Sequence, residues 1–404
     1  MEDITKYVWF QEGPGVRKEQ YTSNGVKLLN VANLVDGKVD LSTSDRFISK
    51  EEANGRYKNF LVDEGDLIIA SSGIQVSYFD KKMGFIQKNQ LPLCMNTSTI
   101  RFKSLDKNVT NIRYFMYFLK SELFKRQLQK QITGSAQLNF GPSHLKKMKI
   151  NMPSIEKQNK IVEKLDKIQN IIDLRNKQLN MLKEVVKSQF VEMFGELTIN
   201  DKNWLMDNMG NYLTILTDFS SNGSYKTLDS QVIMYDKPNY AYMVRTTDLE
   251  NDNYTDNVKY IDENSYNLLS KSKVYGNEII MCKIGSAGKC YLMPKLNRKV
   301  SLGRNAFLFR YNDKINTIFM NYLLNTDYGK SEISKYVRGA VTKTITKDDA
   351  RKIRIIVPPI ELQNKFASFV ELIDKQEFEG LKLEKLLKNL IDEGAKNVKF
   401  WFFI

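Results

Sequence analysis

Short apolar runs separated by polar turns dominate the first 150 or so residues of the chain. Clusters of Gly, Asn and Asp lie between these runs, a pattern typical of β-strands joined by turns. A single helix is predicted at 111–130, where apolar residues recur at helical spacing. A short strand at 148–152 is predicted to close this region. The clearest of the earlier strands are predicted at 26–31, 66–70 and 98–102.

The same order of elements returns in the second half. Residues 197–357 again contain short apolar runs, with a helix predicted at 318–337 and a last strand at 353–357. The block Pro-x-Ile-Glu-x-Gln stands at 153–158 and again at 358–363, an offset of 358 − 153 = 205 residues. A repeat period of half the chain predicts two similar modules.

The hydrophobic period changes from strand to helix at each copy of this block. Apolar residues then recur every three or four positions as far as Gly195, which predicts a coiled-coil helix of about 40 residues and roughly 60 Å. The second helix carries a less regular seam, which Gly380 is expected to interrupt. The seam between the two helices is predicted to contain Ile161, Leu165, Ile168, Ile172, Leu179, Leu182, Val186, Phe366, Val370 and Ile373.

Two long amphipathic helices at equivalent places bury their seams most simply against each other. If they run antiparallel, they hold the two modules apart and relate them by a pseudo-two-fold axis. The predicted fold class is therefore α+β, with two homologous mixed α/β domains separated by two long antiparallel coiled-coil helices. The alternative is that each helix packs on its own module. The predicted segments are a first domain at 1–152, a helix at 153–195, a second domain at 196–357 and a helix at 358–398.

Charge and composition narrow the choice of partner. A formal net charge of +14 and a pI near 9.3 favour a polyanion, with nucleic acid ahead of a merely solvated basic surface. No membrane partner is expected. The sequence shows no compact basic amphipathic helix, and no apolar run approaches the roughly 18 residues needed to cross a membrane. Three cysteines and one histidine show no metal-ligand spacing, so no zinc site is predicted. The expected location is the reducing cytoplasm.

Recognisable catalytic motifs are missing from the sequence. Residues 285–289 resemble a phosphate-binding loop, but Lys283 stands where its first glycine belongs and no hydroxyl residue follows the lysine. Residues 357–360 (Val-Pro-Pro-Ile) lack the polar first residue and the aromatic last residue of an adenine-methylating signature. The chain is therefore predicted not to be an enzyme and to bind no cofactor itself.

Two glycine-containing loops in each module are the main predicted DNA contacts. Short polar groups beside glycine allow close approach to a phosphate, lysines add salt-dependent attraction, and Ser, Gln and Lys can bond base edges. For each loop the alternative is an ordinary surface turn. In the first module the predicted DNA-binding residues are Ser71, Ser72, Gly73, Gln75, Ser77, Asn96, Gly134, Ser135, Gln137, Asn139 and Lys146. In the second module they are Arg245, Lys283, Ser286, Lys289, Arg304, Arg338, Thr342, Lys343, Thr344, Thr346 and Lys347.

The duplicated block and the loops before it resemble the specificity (S) subunit of type I restriction–modification enzymes. The matching features are a Gly-Ser or Gly-Ala loop, at 134 and 339, followed by the Pro-x-Ile-Glu-x-Gln block at the start of a long helix. Residues 190–195 (Phe-Val-Glu-Met-Phe-Gly) are similar to the central region of that family. Residues 9–17 are similar to one common start of its first target-recognition domain.

This resemblance implies a non-catalytic adaptor. The two domains are then target-recognition domains that each read one half of a bipartite DNA site, and the helices are conserved spacers that set the gap. The implied partners are double-stranded DNA, two modification (methyltransferase) subunits and, where the system has them, restriction subunits. S-adenosylmethionine, ATP and Mg²⁺ are expected on those partner subunits.

Two interpretations from other classes stay open at this point. One is a stand-alone DNA-modifying enzyme with an unrecognised active site, and the other is a coiled-coil assembly protein. The tail at 397–404, which ends in apolar residues, also differs from the usual ending of the family.

Overall fold

A long helix follows each of two mixed sheet-and-helix modules. The computed structural model describes residues 1–132 and 138–396 of the chain. These fall into two units. Unit 1 contains Met1–Lys177 and the chain from Gly380 onward, and unit 2 contains Gln178–Glu379.

The module of unit 1 is built on a four-stranded antiparallel sheet. Its strands, in spatial order, are Val8–Glu12, Thr99–Ser104, Leu67–Ala70 and Met83–Phe85. A smaller sheet has the order Leu93–Met95, Val26–Leu29 and Phe47–Ile48, with its first pair parallel. Three strand pairs complete the module: Glu2–Asp3 with Lys149–Ile150, Leu34–Val35 with Lys38–Val39, and Ser72–Ile74 with Leu138–Asn139. Its helices are Lys50–Asn54, Ile112–Lys120, Glu122–Gln131 and Pro142–Leu145, followed by the long helix Ile155–Phe194.

Unit 2 repeats this topology with a larger second sheet. The four-stranded sheet has the order Leu213–Asp218, Ala306–Tyr311, Ile279–Cys282 and Cys290–Leu292. The second sheet has the order Met234–Tyr235, Lys259–Ile261, Ala241–Val244, Val300–Leu302 and Lys273–Val274, again with one parallel pair. Met206–Asn208 pairs with Arg354–Ile356. The helices are Tyr225–Gln231, Thr246–Glu250, Glu263–Leu268, Thr317–Asn325, Asp327–Ser334, Lys347–Arg351 and the long helix Ile360–Lys396.

The duplication predicted from the sequence is confirmed by this repeated order. The strands Leu67–Ala70 and Ile279–Cys282 occupy equivalent places in the two four-stranded sheets. Every residue of both strands is buried, which explains why they are continuous apolar runs rather than alternating ones. The mixed helix-and-sheet fold class is likewise confirmed, as is the long central helix.

One prediction about the module helices is wrong. Each module contains two helices where the apolar period predicted one, because a hydroxyl residue breaks the run. The Ser121 side chain accepts a 3.3 Å hydrogen bond from the backbone N–H of Phe124, and Thr326 accepts one of 3.1 Å from Gly329. Both residues have extended backbone angles and cap the helix that follows.

The long helices contact each other within each unit. In unit 2, rings near the end of the first helix, Phe190 and Phe194, lie 5.2 and 5.6 Å from the ring of Phe366 near the start of the second. This end-to-start contact is that of an antiparallel pair. In unit 1 the second helix continues through Gly380. A Cβ at this position would lie 2.6 Å from Nε of Arg175, so the glycine makes room for that side chain.

The predicted seam residues also pack on the modules themselves. Ile161 and Leu165 belong to the core of the first module, and Val186 and Phe366 belong to that of the second. Both packing alternatives therefore hold in part. Ile161, Leu165 and Phe366 pack on the module that precedes their helix, whereas Val186 packs on the module that follows it. Among the other predicted seam positions, the buried residues are Ile172, Leu179 and Ile373, and the half-buried residues are Ile168, Leu182 and Val370. None of the described helices carries an apolar stretch long enough to cross a membrane.

Candidate nucleic-acid interface

Two loops that are distant in sequence meet at one edge of the first module. The strand Ser72–Ile74 pairs with Leu138–Asn139, and the backbone N–H of Phe140 donates a 2.9 Å hydrogen bond to the carbonyl of Ser71. Gly73 has a φ of +71° and donates its backbone N–H to Oδ1 of Asn139 at 3.2 Å. Glycine adopts this left-handed conformation without the strain that a side chain would bring.

The equivalent loops of the second module are joined in the same way. Gly285 donates its backbone N–H to the carbonyl of Lys343 at 2.9 Å, and Ile345 donates to the carbonyl of Lys283 at 3.1 Å. Residues 338–344 close on themselves, because Arg338 and Thr344 exchange two backbone hydrogen bonds. In each module, the two loops that the sequence singled out therefore form one continuous surface, here called the loop surface: 71–77 with 138–140 in the first module, 283–289 with 338–347 in the second.

A buried carboxylate organises the loop surface of the second module. Asp218 accepts hydrogen bonds from Nζ of Lys283 at 2.7 Å and from Nζ of Lys347 at 2.8 Å. Its side chain also accepts from Ser221. Burial alone would raise the pKa of Asp218, but the hydrogen bonds from Lys283, Lys347 and Ser221 outweigh it and lower the pKa to about 2. Asp218 is therefore ionised at neutral pH and fixes both lysines.

Most other predicted cations of this module are also held by carboxylates. Arg245 makes a bidentate contact with Asp248, with distances of 2.6 to 3.2 Å. Ser286 and Lys289 both donate to Oε1 of Glu250, at 2.7 and 3.1 Å, and these hydrogen bonds lower the pKa of Glu250. These side chains are oriented by the protein before any ligand arrives.

The other predicted residues of this module are held by protein contacts to different extents. Arg304 donates to Asp229 at 2.7 Å and stacks its guanidinium over the rings of Phe219 and Tyr225. The Thr346 hydroxyl accepts from the N–H of Asp349 and so caps the helix Lys347–Arg351. The Arg338 side chain is 74% exposed and touches Asp349 at 3.4 Å. Thr342, Lys343 and Thr344 are exposed, and Lys343 forms no ion pair with another of the described residues.

The first module has fewer charges on its loop surface. Ser72 shares a 2.7 Å hydrogen bond with Ser98, while Gln75 and Lys146 are exposed. Asn96 is buried, and its amide bonds Asn30 at 2.8 Å and the backbone of its neighbours, which favours a structural role over DNA contact. Ser71 is buried as well. The residues Gly134, Ser135 and Gln137, and the side chain of Ser77, lie outside what the structure describes.

Sequence reasoning missed the acidic partners of this site. Asp218 and Glu250 carry no motif and lie 65 and 39 residues from Lys283 and Lys289, so no local signal could have found them. The buried thiols are packing residues. Burial raises the pKa of Cys94 to about 12 and that of Cys282 to about 11, so both stay protonated at neutral pH. In the described part of the chain, no group of three or more His, Cys, Asp or Glu side chains is arranged to hold a metal ion.

Comparison with known proteins identifies the family. The model of the type I restriction modification DNA specificity domain matches residues 3–184 and 215–389. The chain belongs to this family. One match of this model in each half agrees with the duplicated topology, and the interpretations as a stand-alone enzyme or a general assembly protein are not favoured. The chain is a specificity subunit with two recognition domains, not a catalytic subunit.

Individual relatives agree with this assignment. The putative type I restriction enzyme MjaX specificity subunit of Methanocaldococcus jannaschii is 24% identical over 418 aligned positions, covering 95% of this chain and 90% of that protein. The MjaVIII specificity subunit of the same organism is 25% identical over 184 residues, which are 46% of this chain and 42% of that protein. The S subunit from M. genitalium shares the fold, with a TM-score of 0.54 at 14% identity over 98% of this chain and 95% of that one.

Proposed function

We propose that this specificity subunit reads a bipartite DNA target with one loop surface in each module. The target-recognition domains are assigned to 1–152 and 196–357, and the spacer helices to 153–195 and 358–398. The observation that carries the proposal is the same pairing of two distant loops in both modules, seen at Ser71 with Phe140 and at Lys283 with Ile345. A site built twice on one scaffold suits a target with two parts.

Differences between the two loop surfaces support different half-sites. The first presents Ser72, Gln75 and Asn139, whereas the second presents Thr342, Lys343 and Thr344. Amide and hydroxyl groups can donate to and accept from base edges, while an exposed lysine attracts any phosphate. In this proposal, Gln75 and Thr344 contact bases, and Lys343 contacts the phosphate backbone of the DNA.

The chemistry of the complex is assigned to other subunits. Two modification subunits dock on the spacer helices and carry S-adenosylmethionine. Restriction subunits, in systems that have them, bring ATP and Mg²⁺. The specificity subunit binds double-stranded DNA and sets the gap between the half-sites through the length of its helices.

Mapping methylated adenines in a host that carries this chain and its modification subunit tests the proposal. Gln75→Ala is expected to relax or change only one half of the methylated motif, and Thr344→Ala only the other half. Lys107→Gln, at the far end of the strand Thr99–Ser104 from the loop surface, is the control and leaves the motif intact. A motif that is unchanged, or weakened uniformly, in both loop variants contradicts the proposal.

A further inference from the structure

Among the residues that the structure describes, four arginines of the first module have no carboxylate partner: Arg17, Arg46, Arg56 and Arg126. Arg126 belongs to the helix Glu122–Gln131, and the other three are considered together. Arg17, Arg46 and Arg56 are exposed, and none forms an ion pair with a carboxylate of the described residues. Arg46 and Arg56 instead lie over aromatic rings, 5.6 Å from the ring of Tyr21 and 5.4 Å from that of Tyr57. This differs from the second module, where Lys283, Lys289, Arg245 and Arg304 are held by carboxylates.

Two of these arginines line one cleft. A cavity of about 500 Å³ is bordered by Gly15, Arg17, Glu19, Gln20 and Arg56. The side chain of Gln20, which borders the cavity, is held in place by two hydrogen bonds. It accepts from the backbone N–H of Arg17 at 3.1 Å and from the Tyr57 hydroxyl at 3.1 Å. Glu19 is the one acidic group in the lining, and it forms no ion pair with either arginine among the described residues. Neither guanidinium group is therefore bonded to a carboxylate of the described residues.

The third arginine connects this cleft to the loop surface. Arg46 stacks on Tyr21, whose hydroxyl accepts from Nδ2 of Asn96 at 3.4 Å. Asn96 in turn accepts from the backbone N–H of Val16, next to Arg17, at 3.3 Å. Two residues after Asn96, the Ser98 hydroxyl accepts a 2.7 Å hydrogen bond from the Ser72 hydroxyl. A continuous set of contacts through the buried Asn96 thus links the arginines to the loop surface.

The loop 71–77 of the first module is itself uncharged. Residues 71–77 contain no Lys, Arg, Asp or Glu, so they offer hydrogen-bonding groups without attraction to a polyanion. A DNA-reading surface needs such attraction, because phosphate contacts supply most of the affinity and fix the register of the protein on the duplex. Guanidinium groups match phosphate oxygens in geometry as well as charge.

We propose that Arg17, Arg46 and Arg56 form a binding site for backbone phosphates of the DNA, beside the bases that the first loop surface reads. This inference rests on the proposed function. Within the first module it assigns phosphate contacts and base contacts to different residues. The arginines hold the duplex at any sequence, and the loops 71–77 and 138–140 choose among sequences.

The test measures DNA affinity of the assembled complex with its modification subunits over a series of salt concentrations. Two duplexes are used, one with the methylated motif and one without it. The triple variant Arg17→Gln, Arg46→Gln, Arg56→Gln is expected to bind both duplexes at least about tenfold more weakly at low salt. Its plot of log affinity against log salt is expected to flatten by about 0.9 for each phosphate that the variant no longer neutralises.

Matched variants separate charge from structure. The triple Arg→Lys variant keeps the charge, and its salt slope stays close to that of the unchanged protein. Lys107→Gln removes one charge in the turn that follows the strand Thr99–Ser104 and leaves the slope unchanged. The methylated motif is expected to be the same in every variant, and the thermal unfolding temperature also stays unchanged, because the three side chains are exposed.

Two results overturn the inference. The first is an unaltered salt slope in the triple Gln variant. If inorganic phosphate, added at constant ionic strength, then stabilises the unchanged protein but not this variant, the arginines bind free phosphate instead. The second is a change in the methylated motif, which would make the arginines base contacts. Failure of the unchanged complex to prefer the motif duplex would instead refute the proposed function itself.

Discussion

The side-chain oxygen of Gln158 accepts a 2.8 Å hydrogen bond from the backbone N–H of Asn111, the residue that caps the helix Ile112–Lys120. Nε2 of Gln158 donates to the carbonyls of Val109 and Pro153, both at 2.8 Å. Gln363 repeats this arrangement with the N–H of Asn316 at 2.9 Å. Both glutamines are fully buried. The last residue of the duplicated block therefore fixes the start of each long helix to its module.

Gln158→Ala is expected to lower the free energy of unfolding of unit 1 by about 2–3 kcal/mol. The substitution removes three hydrogen bonds made by a fully buried side chain, and each such bond contributes about 0.5–1.5 kcal/mol. Denaturant unfolding monitored by circular dichroism measures the change. Gln169→Ala, whose side chain makes an exposed hydrogen bond with Asp173, is the control and should cost less than about 0.5 kcal/mol. Equal effects of the two would show that the buried glutamine is not a structural anchor.

Asp218→Asn is expected to reduce stability near neutral pH and to flatten its acid dependence. The carboxyl has a folded pKa of about 2 against an ordinary value of 3.8, so its contribution is present above pH 4 and is lost as the pH falls toward 2. The shift corresponds to about 2 kcal/mol. Unfolding curves between pH 2 and 7 check this. If the variant lost as much stability as the unchanged protein over pH 4 to 2, Asp218 would not be the group that titrates.

Lys343→Gln and Lys347→Gln are expected to act differently, although the sequence places both in one loop. Lys343 is exposed, so its removal should weaken binding to every duplex and reduce the salt slope by about 0.9. Lys347 bonds Asp218 and Ser221, so its removal should chiefly lower the melting temperature of unit 2. Salt titrations of DNA binding and thermal unfolding, measured on both variants, separate the two roles. Identical behaviour would contradict the assignment.

Phe190→Ala is expected to destabilise unit 2 by about 3–5 kcal/mol, because a large buried ring is replaced by a cavity. The Phe190 ring lies 5.2 Å from that of Phe366 and 4.8 Å from that of Tyr322, joining both long helices to the module. Its neighbour Val191 is 48% exposed, and Val191→Ala is the control with an expected decrease below about 0.5 kcal/mol. A small effect of Phe190→Ala on denaturant unfolding would mean that the helices do not depend on this packing.

Local patterns explain why much of the fold was predictable. The two long helices follow from an apolar period that continues for about 40 residues, and the duplication follows from a block repeated at one offset. The predicted single helix of each module failed at Ser121 and Thr326, since one hydroxyl hydrogen bond to the backbone outweighs a continuing apolar pattern. No local pattern in the sequence indicated that Arg17, Arg46 and Arg56 would lie together without carboxylate partners among the described residues.

The sequence by itself determined the repeat, because the same block recurs at one offset. It also determined the long helices and the loops that carry polar side chains beside glycine, because these depend on residues close together in the chain. Only the tertiary structure decided which of those side chains remain available to a ligand. Asp218 lies 65 residues from Lys283 and 129 from Lys347, yet bonds both. Ionic hydrogen bonds act through space, and the fold alone sets which charges become neighbours and which stay free.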